Sequence, residues 1–99
     1  MITGKQRRFL KSLAHELDPT VHIGKAGVTE NVMKELEVSL EMRELVKVKL
    51  QEGCELSAKD AANDLSEKLN AEFVQAIGHK FTIYRKSKEH QQIELPKDK

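Results

Sequence analysis

Four residues, Gly24-Lys25-Ala26-Gly27, have the types and spacing to handle a phosphate. Two glycines three apart let the backbone turn sharply and leave no side chain to hold a ligand away. Thr20-Val21-His22-Ile23 before them reads as a short strand, and Thr29 after them is a good N-cap for a helix. Such a helix start offers N–H groups without intrahelical partners and the positive end of a dipole. Lys25 adds a full charge at the tip. A corner of this kind suits an anion, and a run of phosphates is a nucleic-acid backbone. A lone G-x-x-G is common and most examples are plain turns, so the surrounding residues decide what this one means.

Other chemistry finds little support. His15, His22, His79 and His90 are scattered, and Cys54 sits in a turn. No Cys/His pair has metal-ligand spacing, and no nucleophile–base pair can be inferred. Asp60 and Asp64 lie one helical turn apart, where a cap and a solvated face account for them. The expectation is no catalysis, no metal and no cofactor. A single cysteine makes no internal disulfide, which fits a reducing compartment. The cations near the start are not followed by an apolar run, so no signal peptide or membrane span is read. A cytoplasmic location is expected.

The 99 residues suit one domain, 38% apolar and 33% charged, with a net charge of only +1. The distribution of charge says more than its sum. Residues 1–27 hold five Lys or Arg against two acids, a net of +3. Residues 28–44 hold five Glu against Lys34 and Arg43, a net of −3, and residues 72–99 net to +2. Positive charge therefore gathers near the glycine turn and at the far end, with an acidic stretch between them.

The elements that would position the turn follow from pattern. Thr3 with Gln6 makes a capping box for a first helix over residues 4–16. Phe9, Leu10, Leu13 and Leu17 fall on one side of it, and Arg7, Arg8, Lys11 and His15 on the other. Asp18-Pro19 stops it. A second, acidic helix runs from Thr29 to about Met42, with Val32, Leu36 and Leu40 as its stripe. Leu45 to Leu50, LVKVKL, alternates as a strand with Val46, Val48 and Leu50 facing one way and Leu45, Lys47 and Lys49 the other. That pattern predicts a sheet with one bare face. Ser57 caps a third helix with Asp60 in its first turn. Phe73–Ile77 and Phe81–Arg85 then form a hairpin about Gly78-His79. The order α-β-α-β-α-β-β predicts an α/β two-layer sandwich on a four-stranded mixed sheet, with both crossover helices on one face. Ile93 and Leu95 are placed against the body, and residues 96–99 as a frayed tail.

At this point the residues resemble a known family. Lys5-Gln6-Arg7-Arg8-Phe9-Leu10, Leu13-Ala14-His15, Val21 through Thr29, Glu44 through Lys49, Gln75 through Lys80, Tyr84-Arg85 and Ile93-Glu94-Leu95-Pro96 together are similar to a stand-alone CRM domain. CRM is the chloroplast RNA splicing and ribosome maturation module, and the likeness is strongest to the small bacterial YhbY proteins. It covers the chain from about Thr3 to Pro96. The resemblance implies a fold related to the C-terminal domain of translation initiation factor 3. It also implies RNA as partner, in members that associate with precursors of the large ribosomal subunit. Carried over, its RNA contacts fall on Gly24, Lys25, Ala26 and Gly27, with Lys5, Arg7, Arg8, Lys11 and His15 nearby. The loop also resembles in mechanism, though not in fold, the G-x-x-G clamp of KH domains.

The expected mechanism is electrostatic. Main-chain N–H groups, Lys25 and the basic helix face hold phosphates, and Lys80, Arg85 and Lys86 extend the track. Base stacking on the bare sheet face is a weaker alternative, with Tyr84 as its one free aromatic. A further alternative sets the acidic second helix against a basic ribosomal protein. A monomer is expected.

Overall fold

The computed structural model describes residues 2–97. Its elements are α1 (Gly4–Ala14), β1 (Val21–Ile23), α2 (Glu30–Arg43), β2 (Leu45–Leu50), α3 (Ala58–Leu69), β3 (Glu72–Ile77) and β4 (Lys80–Tyr84), the order read from the sequence. Each helix starts where a side chain takes up an orphan amide. Thr3 Oγ1 accepts from the Gln6 N–H at 3.1 Å while Gln6 Oε1 accepts from the Thr3 N–H at 3.0 Å. Thr29 Oγ1 accepts from the Val32 N–H and Ser57 Oγ from the Asp60 N–H. Caps of this kind contribute about 1 kcal/mol each. α3 ends on Asn70 in the left-handed region, φ 55°, with the Ala71 N–H returned to the Ser66 carbonyl.

The strands form one sheet in the order β1-β2-β4-β3. β1 and β2 are parallel, and β4 runs antiparallel to both of its neighbours. The crossovers β1–α2–β2 and β2–α3–β3 advance the same way across the sheet, so right-handedness lays α2 and α3 on one face. Val21, Ile23, Val46, Val48, Leu50, Phe81 and Ile83 from the sheet meet Leu36 and Leu40 of α2 and Ala61, Ala62, Leu65 and Leu69 of α3. Burying one Val, Leu, Ile or Phe fully contributes about 1.5–3 kcal/mol, which makes this layer the main source of stability. The alanines of α3 let its backbone approach the strands closely.

The opposite face is not bare. α1 lays Leu10 and Ala14 on Leu45, Val74 and Tyr84, and Ile93 and Leu95 close the edge of this second cluster. The reason lies in the register. Leu45, the one apolar residue on the lysine side of β2, pairs with Tyr84. A bulge between Phe73 and Gln75 then brings Val74 to the same side. Tyr84 is therefore core, 4% exposed, and not a free stacking surface. Burial, and after it the neighbouring Glu44 carboxylate, pushes its phenol pKa up.

After β4 the chain returns as a strap over the end of α2. Glu44 caps α2 at φ 67° and is fully buried. Its carboxylate accepts from the N–H groups of Ser87 (2.8 Å), Gln92 (2.7 Å) and Ile93 (2.8 Å). Burial alone would raise its pKa, but these three donors, with Lys86 nearby, hold it below the usual carboxylate value. Glu41 accepts from the Lys88 and Glu89 N–H groups and the Ser87 hydroxyl, which lower its pKa to about 2. Beyond Ile93 and Leu95, Gln6 Nε2 donates to the Pro96 carbonyl and Lys5 Nζ to that of Lys97. Pro96 and Lys97, expected to fray, are thus tied to α1. The rest of the expected tail, Asp98 and Lys99, lies outside the described residues.

Candidate nucleic-acid interface

β1, β2 and β3 end, and β4 begins, at one edge of the molecule. Three loops therefore meet there: the glycine turn, the Gln51–Cys54 turn and the Gly78-His79 hairpin. They are laced together by Gln51 N–H to Ile23 O (2.8 Å) and Leu50 N–H to His79 O (2.7 Å). The glycine turn is closed by Gly27 N–H to Gly24 O at 2.9 Å. Neither Lys25 nor Ala26 has positive φ, so this is a type I turn, and Gly27, at φ 74°, occupies the position where such turns favour glycine. Among the described residues, no hydrogen bond falls on the amides of Lys25 or Ala26.

The fold asks different things of the two glycines. Gly27 supplies a left-handed backbone. Gly24 does not, and a Cβ there would come no closer than 3.4 Å, to Oε1 at the far end of the Gln51 side chain. Nothing inside the protein demands glycine at 24. Lys25 is exposed, and its stem lies beside Gly53, whose own φ is 94°.

The cations expected around this turn divide into two sets. On α1, Arg8, Lys11 and His15 share one stripe, with Arg8 and His15 exposed. Arg7 is half-buried and donates from Nε to the Phe73 carbonyl at 3.0 Å, and Lys5 is tied to Lys97, so both also fix the helix in place. Lys80 stands at the loop edge. Arg85 and Lys86 lie past the other end of β4, roughly 16 Å away at the rise of a strand. Arg85 is engaged there: Nη1 meets both Glu37 oxygens at 2.9 Å and the Leu69 carbonyl at 3.1 Å. That bond, ahead of the bare charge of Arg85, lowers the Glu37 pKa. Arg85 therefore braces α2 and α3 against β4, and the structure does not bring it to the glycine turn.

Register places beside Lys80 two basic residues that the sequence did not single out, His22 and Lys49. On the α1 side of the sheet, His22 of β1 pairs with Lys49 of β2, and Lys49 with Lys80 of β4. Adjacent strands are about 4.8 Å apart, so these three form a row across the sheet edge, from the glycine turn toward the hairpin. Lys47 sits one row deeper, with Nζ on the carbonyls of Ala14 and Leu17, where it caps the end of α1. The alternation of β2 already put Lys47 and Lys49 on one side; only the pairing shows what flanks them.

The acidity of α2 is largely internal. Glu37 serves Arg85, Glu41 and Glu44 serve the strap, and Glu30 and Glu35 remain exposed. Among the described residues no helix is long and apolar enough to cross a membrane. Nor do any three His, Cys, Asp or Glu gather as metal ligands there.

A chain with a glycine corner on an α/β sheet, a row of basic residues along the same sheet edge and a helix with a basic stripe packed on the sheet has the form of an RNA-binding module. The family model of the CRS1 / YhbY (CRM) domain matches residues 2–85, and the chain belongs to that family. It is 46% identical to the "Probable RNA-binding protein YqeI" of Bacillus subtilis, over 97% of this chain and all of that one. It is 40% identical to an "RNA-binding protein" of Haemophilus influenzae, over 97% of this chain and 96% of that one. Among solved structures it is similar to SAV1595 of Staphylococcus aureus, with a TM-score of 0.81 at 49% identity, covering 97% of this chain and all of that one.

Proposed function

We propose that this protein binds ribosomal RNA through the glycine turn and the exposed stripe of α1, and that it acts during assembly of the large ribosomal subunit. The carrying observation is Gly24: no conformational or packing need inside the protein accounts for it, and it sits beside two amides without hydrogen bonds. Phosphates lie against those amides, Lys25 neutralises one of them, and Arg8, Lys11 and His15 continue the contact along α1. The names of the relatives support RNA as the partner. The ribosomal assignment rests on the family resemblance. The protein works as a cytoplasmic monomer, by binding and not by catalysis.

Filter binding against large-subunit RNA fragments tests this reading. Affinity falls with salt at a slope of roughly one per phosphate neutralised. Lys25→Ala lowers that slope by about one. A flat salt response, or a Lys25→Ala protein indistinguishable from the parent, refutes it.

A further inference from the structure

We infer that the cleft between the end of α1 and the loop edge of the sheet seats one unpaired nucleotide of the bound RNA. The inference rests on the RNA-binding reading above and adds a site that the glycine turn does not explain. The cleft measures about 430 Å³ and lies between His15 on one side and the Ile77–Lys80 hairpin on the other. That is within the range of small-ligand sites, roughly 300–1,000 Å³.

Its walls divide by chemistry in the way a nucleotide does. Lys49 and Lys80 are exposed neighbours at the rim and supply a phosphate site. Ile77 is an apolar side chain left 62% exposed in an otherwise cationic edge. It offers apolar contact to the face of a base, and the exposed imidazoles of His15 and His79 offer planar rings beside it. The floor is polar. Thr82 pairs with Lys47 and Gln75 on this face, is 0% exposed, and its hydroxyl has no hydrogen-bond partner. An orphaned buried hydroxyl costs stability when left unmade. Beneath a cleft lined by a Gln75 amide, it is placed to meet the polar edge of a base once Lys47 and Gln75 yield to it. A duplex keeps its bases stacked and paired, so this cleft discriminates for single-stranded or bulged RNA, whereas the glycine turn grips any phosphate chain.

Fluorescence anisotropy with a short unstructured RNA and with a hairpin duplex separates the two sites. Ile77→Ala, at an exposed position, weakens single-strand binding about fivefold or more and leaves duplex binding unchanged. Thr82→Val keeps the shape of the side chain, raises the melting temperature by removing the orphan hydroxyl, and still weakens single-strand binding. Lys25→Ala weakens both RNAs equally. If Ile77→Ala weakens neither RNA, or both alike, the cleft is not a nucleotide site, whatever Lys25→Ala does. If Thr82→Val stabilises the protein and leaves single-strand affinity intact, the floor plays no part in it. If Lys25→Ala changes nothing while Ile77→Ala acts selectively, the cleft stands and the glycine-turn reading falls.

Discussion

Glu44→Gln is the substitution whose consequence the structure specifies most fully. The parent carboxylate is buried and divides its acceptors: Oε2 takes the Ser87 N–H, and Oε1 takes those of Gln92 and Ile93. A glutamine amide has one oxygen. Placed at the Oε1 position it keeps two bonds and turns an NH2 group toward the Ser87 N–H, donor against donor. One buried backbone donor is then left unmade, at a cost of about 1–3 kcal/mol. For a domain of this size that corresponds to a melting temperature lower by roughly 5–20 °C. The effect should also be local. The strap amides around Ser87 exchange faster than those of the main core, because the bond lost is one of those that hold the strap. Ile93 and Leu95 then bear less firmly on α1, and the helix that carries Arg8, Lys11 and His15 loosens with them. Thermal melts and amide exchange on both proteins test this. A loss under about 0.5 kcal/mol, with strap protection unchanged, refutes the claim that Glu44 is what fastens the strap.

Other outcomes follow from the same geometry. Gly27→Ala, forced into a left-handed backbone, costs about 1 kcal/mol, whereas Gly24→Ala leaves the urea midpoint nearly unmoved and weakens RNA binding; equal destabilisation by both contradicts the separate reasons given for them. Glu37, Glu41 and Glu44 all have lowered pKa values in the fold, so their contribution is complete above the ordinary value of 4.5 and disappears as pH falls through the folded values, about 2 for Glu41. An acid titration followed by thermal melts shows stability falling progressively as pH drops from 4.5 towards about 2, and a stability unchanged over that range opposes this. Arg85→Ala loses about 1 kcal/mol, a modest figure because the Glu37 side chain is half exposed, and keeps RNA affinity; a large drop in affinity with unchanged stability returns Arg85 to the RNA track.

Local chemistry made much of the fold readable. Thr3, Thr29 and Ser57 announced three helix starts, LVKVKL alternated as only a half-buried strand does, and Gly78 marked the hairpin, where it does adopt positive φ. The glycine turn was readable for the same reason, since its conformation is set within a few residues. What the sequence hid is what depends on distant partners. An amphipathic helix shows that it has an apolar side, not which sheet face receives it, and so α1 was not placed on Tyr84. Glu44 ends a helix rich in glutamates and looks like its exposed neighbours; its burial depends on amides more than 40 residues away. Arg85 reads as one more cation in a basic run until Glu37 is found beside it. His22, Lys49 and Lys80 become a row only once β1, β2 and β4 are paired in register.

The central claim is that RNA meets the main chain at residues 24–27. Titrating isotope-labelled protein with large-subunit RNA fragments, and following backbone amides, measures this directly. The account predicts the earliest and largest shifts at Lys25, Ala26 and the exposed stripe of α1. Shifts confined to α2, α3 and the strap, with residues 24–27 undisturbed, contradict it.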